Sequence, residues 1–249
     1  MAKTSASGHT KNVDNLDTLI PSVTGYGAAY NPAKASLKLP ALQALAISGR
    51  TIIAAEHSAE VATKNASDAR SAIFDLLSPF ITRIMNALRA SGASEQAIEA
   101  AYMIARKIKG TPASSKKPEV ELAAVATDAK PVRHITTRHM DFESRLDNFD
   151  LFIKQLASIP QYNPNEPELK VAGLTAHYND LKAKNTAAVN ALTQLSNARI
   201  TRDDTLYRDS TGLVDIALDT KVYVKSVFGA SSPQYKQIAK LTFRKPKSK

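Results

Sequence analysis

Apolar side chains recur at Phe142, Leu146, Phe149, Ile153 and Leu156, a 4-3-4-3 spacing that places them on one face of a helix. Pro160 follows and ends the pattern. An earlier stretch, "VDNLDTLI", carries Val13, Leu16 and Ile20 in a similar register, and Pro21 predicts an early stop for that helix. Two much longer stripes come next along the chain. Leu42, Leu45, Ile52, Ala59, Ala66 and Ile73 predict a helix from about Leu39 to Leu77. Leu174, Tyr178, Leu181, Ala188, Leu192, Leu195 and Leu206 predict its counterpart. At ~1.5 Å per residue, about 36 residues reach roughly 54 Å. A helix of that length needs partners along it to be stable in water. Many stripe positions are alanine, which lets neighbouring helices approach toward the short end of the roughly 8–10 Å interaxial range.

Each long stripe is followed by two shorter ones. Ser78-Pro79 reads as an N-cap with proline at the first helical position, and Ser210-Thr211-Gly212 occupies the matching place. The next helices carry Phe80, Ile81, Ile84, Met85 and Leu88, or Leu213, Ile216, Ala217, Val224, Val227 and Phe228. Gly92 and Gly229 end them. Ser94, and Ser232 followed by Pro233, open a last short helix lined by Ile98, Tyr102, Ala105 and Ile108, or by Tyr235, Ile238 and Leu241.

These paired patterns point to an internal repeat. Asp14, Asn15 and Asp17 fall on Asp147, Asn148 and Asp150 at a shift of 133. Tyr30-Asn31-Pro32 falls on Tyr162-Asn163-Pro164 at a shift of 132, with Leu37-Lys38 on Leu169-Lys170 and Arg70 on Arg202. The two "GAS" triplets at Gly92 and Gly229 keep the same order. The expected fold is all-α: two tandem repeats of a roughly four-helix unit, each with one long Ala-rich helix, packed as an elongated helical bundle. The expected divisions are a flexible N-terminus at 1–11, a first repeat at 12–110, a Pro- and Lys-containing linker leading into a helix at 111–144, a second repeat at 145–244, and a basic tail at 245–249. Tyr-Asn-Pro reads as the turn feeding each long helix: the residue before proline is pushed away from helical dihedrals, and Tyr30 and Tyr162 pack beneath the turn.

Composition sharpens this picture mostly by exclusion. The chain has no Cys and no Trp, so disulfides, thiolate metal sites and Cys nucleophiles are out of reach. The net charge is +10, but residues 12–110, 111–144 and 145–244 contribute only +2, 0 and +3. Lys3, Lys11, Lys245, Lys247 and Lys249 hold the rest, so half of the excess sits in the termini. Arg106, Lys107, Lys109, Arg244, Lys245, Lys247 and Lys249 are the candidate polyanion contacts, at ends that the repeat makes equivalent. Cations are also expected at a helix C-terminus for the dipole alone. With neither a signal peptide nor an apolar run long enough to span a bilayer, the expected location is cytoplasmic, with non-classical export left open.

Candidate chemistry is sparse. His134 and His139 in "RHITTRH" lie five apart, off a shared helical face, and His57 and His177 occupy different places in the two repeats. No HExxH, ExxH, Gly-rich phosphate loop or GxSxG elbow occurs. The repeated Asp-Asn-x-Asp lacks the Gly and distal Glu of a calcium loop, and Asp14 and Asp147 read as first-turn carboxylates. Arg70 and Arg202 are expected to form intramolecular ion pairs, for example with Asp75 or Asp203, the alternative being a phosphate or carboxylate ligand. No catalytic residue, metal site or cofactor is expected.

The collinear signature of Asp-Asn-x-Asp, Tyr-Asn-Pro-x4-Leu-Lys and the closing "SVFGASSPQYKQIAKLTF" resembles a family of internally duplicated all-helical bacterial proteins with no established activity. The resemblance implies a fold and no site. The function expected from the residues is a non-enzymatic structural or protein-interaction protein that self-assembles through its helical faces. Its partner is then itself, as a homo-oligomer or array, or another protein. The alternative is a nucleic-acid or polyanion binder using the basic helix ends and the tail.

Overall fold

The computed structural model describes residues 8–110 and 141–246. The expected linker with His134 and His139, and Lys3, Lys247 and Lys249, lie outside them. The described residues form helices and turns without a strand. In chain order the α-helices are α1 (Gly8–Gly25), α2 (Leu39–Asp75), α3 (Leu77–Ala90), α4 (Glu95–Lys109), α5 (Phe142–Ala157), α6 (Val171–Tyr207), α7 (Leu213–Phe228) and α8 (Pro233–Ala239). Both long helices contain 37 residues.

The chain divides into two compact units whose boundaries differ from those of the repeats expected from sequence. One comprises 1–64 and 190–249, the other 65–189. The first unit's core brings α1, the first half of α2, the end of α6, α7 and α8 together through Leu16, Leu19, Leu42, Leu206, Leu213 and Ile238. The second unit's core joins the end of α2, α3, α4, α5 and the first half of α6 through Phe74, Leu77, Ile84, Ile108, Phe149 and Leu181. Within these units α1 packs against α7 and α8, and α5 packs against α4.

Several local features depart from the sequence expectations. Pro21 does not stop α1, which continues to Gly25 with the proline inside. Val23, fully buried beyond it, anchors the last turn against the core and offsets the backbone hydrogen bond that proline lacks. The same helix already covers 8–11, so Asp14 lies beyond its first turn. Asp147 likewise lies beyond the first turn of α5, where Glu143 is the acidic residue and Asp141 is the N-cap, accepting from the Ser144 N–H at 2.7 Å. Ser78 is not an N-cap: α3 begins at Leu77, and Ser78-Pro79 sits within its first turn, where a missing N–H costs nothing. Ser94 and Ser232 cap α4 and α8 with their hydroxyls.

The buried stripe of α2 is shifted from the expected one. Leu42, Ala46, Ile53 and Phe74 face the cores, together with the carboxylate-bearing Glu56. On α6, Ala191 is buried and Leu192 is 59% exposed. Close helix packing shows in Thr63, whose hydroxyl donates to the carbonyl of Ala191 on the other long helix at 3.0 Å.

Each long helix is entered through a Tyr-Asn-Pro turn. Tyr30 and Tyr162 are buried, and their hydroxyls donate to the carbonyls of Leu37 at 2.6 Å and Leu169 at 2.7 Å. Asn31 and Asn163 are exposed, and Pro32 is buried. The Lys38 and Lys170 carbonyls then accept the first helical bonds from Leu42 and Leu174. Burial raises the phenol pKa of Tyr30, and it pushes that of Tyr162 up to about 12.

Candidate functional site

The two basic ends belong to different units and have different settings. Arg106, Lys107 and Lys109 occupy the last turn of α4, where positive charge complements the helix dipole. Gly110 closes that helix in a left-handed conformation at φ 66°. The Lys109 ammonium donates to the Thr82 hydroxyl at 2.7 Å, and the Arg106 guanidinium lies 5.9 Å from the centre of the Tyr102 ring.

Arg244 and Lys245 do not end a helix. The last helix, α8, stops at Ala239, and the following segment runs back along α1. Two asparagines of α1 hold it there. The Asn15 amide donates to the Thr242 carbonyl at 2.7 Å. Asn12, 3% exposed, donates to the Arg244 carbonyl at 2.9 Å and accepts from the Arg244 N–H at 3.1 Å. Lys245 reaches Asp209 at 2.8 Å and Asp215 at 2.9 Å. The bond from Lys245 lowers the pKa of the Asp215 carboxyl, and the bond to Asp209 raises that of the Lys245 ammonium.

The repeated arginines face different surroundings. In the first unit, the side chain of Arg202 is 11% exposed and that of Glu56 is 12% exposed; the two form a direct ion pair. Arg202 also holds Asp203 at 2.7 Å, the partner expected from sequence. Nearby, the His9 Nδ1 and the Tyr207 hydroxyl are 2.6 Å apart. Burial lowers the His9 pKa, with Arg202 acting in the same direction, and burial raises that of Tyr207. In the second unit Arg70 takes no ion pair with Asp75. It donates to the Asn185 amide oxygen at 3.2 Å and lies 4.0 Å from the centre of the Phe142 ring. Asn185 in turn donates to Glu143 at 2.5 Å.

His57 is exposed, whereas His177 is half-buried against Phe80, with ring centres 4.8 Å apart. Burial lowers its pKa and favours the neutral ring. Among the described residues no three His, Asp or Glu side chains could hold a metal, and no helix is long and apolar enough to cross a membrane.

Sequence reasoning missed Glu56, Asn185 and the Asn12 clamp. Glu56 and Asn185 carried a signal, since each interrupts an apolar helical stripe and a polar residue there needs a buried partner. Asn12 carried none, because its partner is the backbone of a residue 232 positions away. No family model matches the chain, and neither a curated protein nor a solved structure is detectably similar to it.

Proposed function

We propose that the protein is a non-enzymatic structural or interaction protein that associates with copies of itself through its helical faces. The carrying observation is a second apolar row on α2, separate from the buried one. Ile47 is 58% exposed and Val61 is 60% exposed, with exposed Ala54 midway between them at seven-residue spacing. Positions seven apart share one face of a helix, so these residues form a narrow apolar stripe along α2. A second copy offers the same row, and an isologous two-fold contact then buries both at once. Leu192 and Ile200 on α6 of the same unit, 59% and 65% exposed, add apolar surface of the same kind.

Sedimentation velocity across a wide concentration range tests the reading. Association is expected, and Ile47→Lys with Val61→Lys should weaken it at least tenfold while helix content stays the same. A monomer at every concentration, with no partner recovered in pull-downs, overturns it.

We also read the chain as an internal duplication of a four-helix unit. The equal lengths of α2 and α6, the matched Tyr30–Leu37 and Tyr162–Leu169 bonds, and the serine caps of α4 and α8 support this reading. On this reading each compact unit combines the first helix of one repeat with the short helices of the other, the arrangement of a swapped dimer joined into one chain.

The second reading, polyanion binding, draws on exposed Lys107 and Arg244 within the basic groups. A salt-titrated oligonucleotide assay separates it from the first. Affinity falling steeply with salt, and lost on removing 245–249, favours it; no binding at low salt removes it.

A further inference from the structure

The segment that follows α8 borders a partly open cavity of about 280 Å³ in the first unit. Its walls are Lys11 and Asn12 from α1, Tyr207 from the end of α6, and Thr242, Arg244 and Lys245 from the segment itself. Three cationic residues thus line one concavity, and among the described residues no carboxylate lines it.

The three cations are not equivalent. Lys245 is engaged by Asp209 and Asp215, which fix its position and compensate its charge. Lys11 and the guanidinium of Arg244 make no hydrogen bond or ion pair among the described residues. Two uncompensated positive charges therefore share a concave surface, where they repel each other and attract an anion.

The backbone that carries the Arg244 side chain is held in place. Buried Asn12 holds the Arg244 backbone by both its N–H and its carbonyl, and Asn15 holds the carbonyl two residues earlier. The origin of the guanidinium is thereby set before any ligand arrives, which reduces the ordering cost of binding. A loose basic tail lacks this property and attracts any polyanion in proportion to charge alone.

We propose that this cavity is a binding site for a single phosphate group, either as the free ion or as a phosphate monoester. Guanidinium and ammonium together match the shape and charge of a phosphate dianion, the guanidinium through paired N–H bonds. The volume lies just below that of ligand pockets, which run from about 300 to 1,000 Å³, and suits a compact anion better than an extended one.

Isothermal titration of the full chain with sodium phosphate, against sodium chloride at matched ionic strength, tests the assignment. Saturable one-to-one binding of phosphate but not chloride is expected. Lys11→Gln and Arg244→Gln should each weaken it at least tenfold, and neither removes the backbone clamp. Lys225→Gln, outside the cavity, should change it less than twofold. A parallel arm compares an oligonucleotide carrying a 5′-phosphate with its unphosphorylated form. Tighter binding of the phosphorylated form, dependent on Arg244, makes a chain-end phosphate the ligand; equal binding of the two leaves the free ion or a small ester. The assignment is overturned if phosphate binding is not saturable, or if both cavity variants bind phosphate as the natural protein does. Sedimentation reads assembly independently of both arms, so the failure of one proposal is distinguishable from the failure of the other.

Discussion

The Tyr162 hydroxyl donates to the Leu169 carbonyl across the turn that leads into α6, at 2.7 Å and between two buried residues. A single side chain thus satisfies a buried carbonyl and fills the space beneath the turn. Tyr162→Phe removes the first contribution and should cost about 1 kcal/mol, a fall in Tm of about 2–4 °C. Tyr162→Ala removes both and should cost about 3–5 kcal/mol. Thermal melts of the two variants separate the terms.

The same tyrosine predicts a response to alkali. Its pKa rises from 10.0 to about 12 on folding because burial disfavours the phenolate. The folded chain therefore holds the proton more tightly than the unfolded chain, and the resulting stabilisation is complete below about pH 10. It is lost as pH climbs toward about 12. Melting temperature should fall over that window in the natural protein and fall less in Tyr162→Phe.

Gly173 lies where the first turns of α6 pass the incoming chain. A Cβ there would stand 2.3 Å from the Pro167 carbonyl oxygen and 2.9 Å from the Glu168 Cα, both backbone atoms that cannot rotate away. Gly173→Ala should destabilise the protein by about 1–3 kcal/mol, despite alanine's better helix propensity, because the turn has to move. Urea denaturation reads this as a lower midpoint; an unchanged or raised midpoint contradicts the packing described.

Glu56 and Arg202 form an ion pair that is largely withdrawn from water. Removing either partner strands the other, so Glu56→Ala and Arg202→Ala should each cost about 3 kcal/mol. Asp203 compensates part of the charge stranded in Glu56→Ala, and Arg199 part of that stranded in Arg202→Ala. The double variant should lose less than the sum, with a coupling of at least about 1 kcal/mol in a double-mutant cycle.

Asn12 ties the end of the chain to α1, and hydrogen exchange can observe that tie directly. The Arg244 amide donates to the Asn12 side chain and to no carbonyl of a helix or sheet. In Asn12→Ala that amide should exchange at least tenfold faster, while amides in the middle of α7 keep their protection. Equal exchange at Arg244 in both proteins would show that other contacts hold the segment.

Much of the local structure was legible in the sequence because its causes are local. Apolar spacing placed both long helices to within a few residues, and the serine caps of α4 and α8 follow from side-chain oxygens that reach a nearby N–H. The Tyr-Asn-Pro turn follows from proline's restriction of its own and the preceding dihedrals. Pro21 was misleading for the opposite reason. Its local cost is real, but Val23 and Leu19 are buried on either side, and that burial is a tertiary contribution. Of the candidate site, sequence indicated the charge of Lys11, Arg244 and Lys245 but not that Lys11, Asn12 and Tyr207 come together with the other two.

The sequence by itself determined that the described chain is helical, roughly where each helix begins and ends, and which faces need cover. Only the tertiary structure decided what covers them. An apolar stripe states that a helix must be buried, but not against which partner; α1 is covered by α7 and α8. Hydrophobic burial has no direction and leaves that choice open. The choice rests on shape at particular contacts, such as Gly49, where an added Cβ would come within 3.1 Å of Leu213 and Val13.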